Sequence, residues 1–245
     1  MNPPLAPGRP SPTTLRLVPW RSVASGPTID YHMHTTHTDG TAAVADMARV
    51  AAERGIAEIH FSEHVRRSST YYPDYFAEVR ALAIPRMKAM AGVETKILDT
   101  EGSLDCPSGA ASLCDAIIGS VHSAPPDADG AERHWSQLPP AAALEVEFNL
   151  ALAIVTKSRA HILGHPMGMC ITRLKQKPLD QLEQLARACR DHDKAFELNA
   201  RYCVDPAAWI EIVSRAGCKV SLGSDAHALA GVGSAWARFV GKGTA

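Results

Sequence analysis

Residues 28–40 read TIDYHMHTTHTDG, and the start of this stretch decides the fold. Thr28 to Met33 is a short apolar run in which every second residue changes face, as in a β-strand. It carries Asp30, His32 and His34 on one side and ends in an Asp-Gly turn at Asp39 and Gly40. A strand that delivers two imidazoles to one face at its C-terminal end suits a sheet whose βα loops build a site there.

The same arrangement recurs along the chain. Further strands are predicted over 57–62, 91–97, 116–121, 161–164, 195–198 and 219–222, seven with the first. Helices are predicted over 42–54, 74–90, 140–158, 179–190 and 206–216, with a shorter one over 108–114. Gly55 and Gly217 stop two of them, Asp205 caps the one that opens with Pro206, and Thr41 offers a cap near the first. Strands separated by single helices imply right-handed βαβ units and a parallel sheet. No GxGxxG or GxxxxGK[ST] pattern follows the first strand, so the common nucleotide-binding versions of such a sheet lose ground. The longest polar stretch, 124–137, reads as a surface loop, and the tail after His227 leaves room for only a truncated last helix.

Nearly every strand ends in a polar group. His32 and His34 close the first, His64 follows the second, Glu94 lies in the third and His122 ends the fourth. His165 follows the fifth, Asn199 the sixth, and Asp225 and His227 the seventh. Imidazole and carboxylate suit Zn, Mn or Fe, and the lack of cysteine in the group argues against a closed structural zinc site. The candidate ligands are His32, His34, Asp39, His64, Glu94, His122, His165, Asp225 and His227. One ion takes about four to six donors, so nine suggest two or three divalent ions, with Glu94 able to bridge a pair. His37 competes with Asp39 for the loop position. Glu63 and Glu197 fit supporting hydrogen-bond roles. His60, His134, His161 and His192 read as ordinary residues.

At these residues the chain resembles the PHP (polymerase and histidinol phosphatase) family. The motifs are HMHTTHTDG at 32–40, FSEH at 61–64, GVE at 92–94, GSVH at 119–122, LGHP at 163–166 and LGSDAH at 222–227. The resemblance implies a distorted (β/α)7 TIM-like barrel and a metal-dependent phosphoesterase, closest to the stand-alone histidinol-phosphatase-like branch. It carries the ligand roles onto the nine residues above, with Asp225 and His227 also read as catalytic. The implied substrate is a small phosphorylated molecule. Arg201 and Arg66 are placed to meet its phosphate. The segment after Asn199, ARYCVDP, is shorter than the insertion associated with histidinol phosphate enzymes, which separates the substrate question from the fold.

Bulk properties bound the alternatives. The 245 residues are 46% hydrophobic, enough for one barrel-sized core, and the formal net charge of −1 gives no general attraction to nucleic acid or membrane. A nuclease or nucleotide phosphodiesterase acting on oligonucleotide ends is the second reading. A non-catalytic metal-binding regulatory domain is the third, and amide cleavage on a similar barrel the fourth. No apolar run approaches a membrane span. Six irregularly spaced cysteines suit reduced thiols and a cytoplasmic place. The proline-rich residues 1–26 are expected to be a disordered extension, and 27–245 the phosphoesterase domain. The oligomeric state is not legible.

Overall fold

Hydrophobic runs that are buried on both faces need cover on both sides, and here they form a ring of parallel strands. The computed structural model describes residues 14–125 and 133–241. Before the ring come β1 (Val18–Pro19) and α1 (Trp20–Ala24). The parallel units follow in order: β2 (Ile29–Asp30) and α2 (Val44–Glu53), β3 (Glu58–His64) and α3 (Tyr72–Arg80), β4 (Lys88–Lys96) and α4 (Ser108–Leu113). Then come β5 (Ile117–Ser120) and α5 (Pro140–Lys157), followed by β6 (Ile162–Leu163), α6 (Gly168–Leu174) and α7 (Leu179–Asp191). β7 (Ala195–Asn199), α8 (Pro206–Ala216), β8 (Lys219–Gly223) and α9 (Ser234–Phe239) complete the order.

Strands β2 to β8 pair in sequence order, each parallel to the next. The seam between β8 and β2 is bridged above the formal strands. Tyr31 N donates to Leu222 O (2.7 Å), Asp225 N to His32 O (2.8 Å) and His34 N to Ala226 O (2.8 Å). Met33 and Ala226 form a parallel bridge. The lower part of the seam is filled by β1, antiparallel to β8 at Val18 and Val220. The expected distorted seven-stranded barrel is therefore present, with an eighth short strand wedged into its seam.

Residues 14–26 depart from the expected disorder. Leu15 and Val23 are buried, and α1 packs on α8. Proline was the misleading signal, because Pro19 stands just before the first turn of α1, where a missing N–H costs nothing. Residues 1–13 lie outside the described residues. The helix expected over 74–90 ends at Arg80, and 88–90 already belong to β4. Pro85 disfavours helical backbone at Ile84, and Arg86 has φ +65°. Thr41 does not cap α2, whose N-cap is Ala43 without a side-chain bond. Its hydroxyl instead donates to His227 O at 3.0 Å. Asp205 does cap α8, accepting from Ala208 N. The loop over 124–137 is tied at its ends by an Ala124–Arg133 bridge and a 3₁₀ turn at Trp135–Gln137, with 126–132 outside the described residues. The short tail does carry a last helix, α9, with Trp236 and Phe239 buried.

Candidate metal centre

The barrel's C-terminal rim gathers the candidate donors. His32 and His34 share one face of the segment that continues β2, and both are fully buried. Asp30, on the same face one step lower, accepts from Ser224 N (2.9 Å) and Gly233 N (2.7 Å), and burial pushes its carboxyl up to about 6. It anchors the seam rather than joining the cluster.

Three groupings follow from the distances. In the deepest, His32 Nε2 lies 3.1 Å from His34 Nε2, 3.5 Å from Glu94 Oε2 and 3.9 Å from Asp225 Oδ1. His34 Nε2 is 3.6 Å from Glu94 Oε2 and 3.5 Å from Asp225 Oδ1. In the second, Glu94 Oε1, His122 Nε2 and His165 Nε2 are mutually 3.0–3.2 Å apart. In the third, Asp39 Oδ2 lies 3.4 Å from His64 Nε2 and 3.3 Å from His227 Nε2. Tetrahedral donors about 2.1 Å from one cation are spaced by roughly 3.4 Å, so these separations suit first coordination shells. Glu94 links all three, since its Oε2 is also 2.9 Å from His64 Nδ1. The third grouping is shallow, with the Asp39 side chain 53% exposed against 1% for Glu94.

Supporting contacts aim these donors. His32 Nδ1 donates to Glu197 Oε1 at 2.6 Å, which leaves Nε2 as the inward lone pair. Glu197 Oε2 also accepts from His165 N at 2.5 Å. That bond holds His165 at φ +26°, and Asp225 sits at φ +54°, both in the left-handed region that side chains avoid. A Cβ at Gly223 would come within 2.0 Å of Glu197 Oε1 and 2.6 Å of the His32 Cβ, so glycine there admits the Glu197–His32 pair.

The electrostatics call for cations. Glu94, Glu197 and Asp225 are buried, and among the described residues their basic partners are imidazoles, plus Arg201 at 3.8 Å from Asp225. Burial alone would raise Glu94, yet His122 and His32 hold it well below the usual carboxylate range. Burial opposes protonation of His32, but Glu197, Glu94 and Asp225 outweigh it and raise its pKa well above the ordinary value. Burial and the neighbouring His32 charge drive His34 the opposite way. His34 Nδ1 and His165 Nδ1 are buried without a hydrogen bond. Packed donors, carboxylates with no buried lysine or arginine beside them among the described residues, and unbonded imidazole nitrogens all fit divalent ions.

A model of the PHP domain matches residues 30–201. The chain belongs to the PHP family. Asp225 and His227 lie beyond the matched span, yet both stand within 3.5 Å of donors in the groupings described above. A "Probable phosphatase" of Thermoanaerobacter sp. (strain X514) is 25% identical over 84% of this chain and 81% of its own length. The "DNA polymerase/3'-5' exonuclease PolX" of Bacillus subtilis is 26% identical over 70% of this chain, but the match spans 29% of that protein. Among solved structures, the histidinol phosphate phosphatase of Lactococcus lactis, complexed with zinc, L-histidinol and phosphate, aligns with a TM-score of 0.66. That alignment covers 89% of this chain and 94% of the other at 21% identity, which establishes a shared fold.

Within this PHP chain the loop alternatives separate. Asp39 joins the donors, whereas His37 turns to Glu78 on α3 (2.7 Å). Glu63 accepts from Thr35 N at 2.7 Å and from the Thr38 hydroxyl, bracing the loop. His60 packs in β3, with Nδ1 3.0 Å from Tyr31 O, and burial lowers its pKa to about 4. His161 accepts from Ile117 N at 3.0 Å. Arg201 reaches the rim, 3.4 Å from His227 Nδ1, and Arg66 lies 3.9 Å from Asp105. Both line a cleft of about 300 Å³ over the donors.

Arg173 and Tyr202 line that cleft too and escaped the sequence reading. Tyr202 stacks on His165 with ring centroids 4.5 Å apart; its place beside Arg201 in ARYCVDP was the available hint. Arg173 rides on α6, which has no local start signal. Its N-terminus is capped from α5, where Glu147 accepts from Met169 N (2.8 Å) and Cys170 N (2.6 Å).

Proposed function

We propose that this chain hydrolyses small phosphomonoesters with two or three divalent ions, Zn, Mn or Fe, held at the barrel rim. The observation that carries the reading is Glu94, whose two carboxylate oxygens lie 2.9–3.6 Å from five imidazoles. His32, His34, Glu94 and Asp225 would hold one ion, Glu94, His122 and His165 a second, and Asp39, His64 and His227 a third. Bound ions would supply Lewis acidity toward a phosphoryl oxygen and a water of lowered pKa. The protein's own part is positioning. Glu197 fixes the His32 tautomer, and the His165 and Asp225 backbones hold their side chains inward. Arg201 and Arg66 would meet equatorial phosphate oxygens as charge builds on them.

Support comes from PHP membership, a relative named as a phosphatase, and a fold shared with a zinc-containing histidinol phosphate phosphatase. No helix among the described residues is long and apolar enough to cross a membrane. All six cysteines are unpaired, which supports a reducing cytoplasmic setting.

The test is turnover of p-nitrophenyl phosphate and a phosphometabolite panel after loading with Mn or Zn, with short oligonucleotides as the competing substrate class. Hydrolysis of monoesters is expected. Cleavage confined to oligonucleotide ends would replace this reading with the nuclease one, and metal binding without any turnover would favour a regulatory domain. Two variants probe the supporting groups. Glu197→Gln should weaken metal retention or activity by roughly 10- to 100-fold through loss of the His32 orientation. Arg201→Ala should lower kcat/KM by about 10-fold or more, the worth of one charge-assisted bond; unchanged kinetics on every phosphorylated substrate would remove Arg201 from the site.

A further inference from the structure

We propose that a second cleft beside the donors receives the leaving group, and that Lys96 and Arg173 select leaving groups carrying a second anionic group. This rests on the phosphomonoesterase reading and names its substrate class.

The cleft is about 730 Å³, within the usual range for small-molecule sites. His122, Met169 and Arg173 line both it and the smaller cleft over the donors, so the two are continuous. An ester whose phosphoryl group sits against His122 therefore has this space open to its alcohol portion. Lys96 ends β4 two residues after Glu94, so both side chains leave the strand on the same face. Lys96 is half-buried, and neither its ammonium nor the Arg173 guanidinium has an ion-pair or hydrogen-bond partner among the described residues. Apolar side chains, including Leu98, Leu150 and Trp135, form much of the remaining wall. Trp135 Nε1 donates to His122 O at 3.1 Å, tying that wall to a donor residue.

No carboxylate lines this cleft among the described residues, whereas four line the adjoining cleft or its floor: Asp39, Glu94, Asp225 and, behind His32, Glu197. Charge thus divides between the two spaces. Among the described residues, the metal side holds buried carboxylates that want cations, while the far side offers Lys96 and, at the junction, Arg173 without an anionic partner on a partly apolar surface, where an anion is favoured and a cation repelled. A carboxylate or a second phosphate satisfies that wall. An amino-bearing alcohol such as histidinol would meet like charge there.

The experiment compares kcat/KM of the metal-loaded full chain on 3-phosphoglycerate, glycerol 3-phosphate and histidinol phosphate. The carboxylate-bearing ester should exceed glycerol 3-phosphate by roughly 10-fold or more, with histidinol phosphate lowest. Lys96→Met and Arg173→Met should each cut the first ratio by several-fold, and Arg173 is exposed enough to be replaced without disturbing the fold. Calorimetric binding gives an independent readout: 3-phosphonopropanoate should bind more tightly than propylphosphonate, and less so in either variant. Equal turnover of the charged and neutral esters with equal phosphonate affinities, or preference for histidinol phosphate, would overturn the pocket assignment and leave the phosphatase reading standing. Failure to hydrolyse any of these esters or p-nitrophenyl phosphate would overturn both.

Discussion

Glu94→Gln is expected to lower kcat/KM on an aryl phosphate by roughly 10³-fold or more. Lewis-acid stabilisation by a bound ion is worth several kcal/mol, and each ~1.4 kcal/mol is tenfold in rate. The substitution keeps the side chain's shape and removes only charge and one acceptor oxygen. Both oxygens are committed: Oε1 faces His122 and His165 at 3.1 and 3.0 Å, while Oε2 faces His32, His34 and His64 at 3.5, 3.6 and 2.9 Å. An amide nitrogen in either place points a proton where a cation belongs. The protein should stay folded, because β4 pairs with β3 over Lys88–Glu94 and with β5 over Val93–Lys96. Elemental analysis should find at least one ion fewer per chain than in the parent. Parent-like metal content together with parent-like rates would refute the shared-carboxylate arrangement.

Stripping the ions should lower the melting temperature by about 10 °C, and restoring Mn or Zn should recover it. A ligand that binds only the native state at about 1,000 times its Kd adds about 4 kcal/mol. For a chain of this size each kcal/mol moves Tm by roughly 2–4 °C. The molecular reason is specific here. Without cations, Glu94, Glu197 and Asp225 sit buried against imidazoles that cannot all be protonated, as the opposed shifts of His32 and His34 indicate. The stabilisation should be largely lost in Glu94→Gln. A chelated protein that melts where the loaded one does would show that the donors are satisfied without metal.

Much of this site was readable before any coordinates because β-geometry has a strict period. Residues two apart share a face, so His32 with His34, and Glu197 with Asn199, could be assigned sides from their spacing alone. The parallel sheet followed from helices between strands, and the barrel from the resemblance to the PHP family. What escaped depends on distant partners. The choice between His37 and Asp39 is made by Glu78, 41 residues from His37. The α6 helix is capped by Glu147, more than 20 residues earlier, and Met167 before it adopts a left-handed conformation with no local mark. β1 is two residues long and ends in proline, so only its fit into the barrel seam defines it.

That seam also sets a timetable for synthesis. His32 and His34 leave the ribosome almost 200 residues before Asp225 and His227, and the backbone bonds that join the two segments cannot form in between. A nascent polypeptide can therefore shut neither its ring nor its deepest donor cluster until β8 has been made. Loading of that cluster has to wait for β8, and a product truncated before it would lack the Asp225 and His227 donors however many histidines it retained.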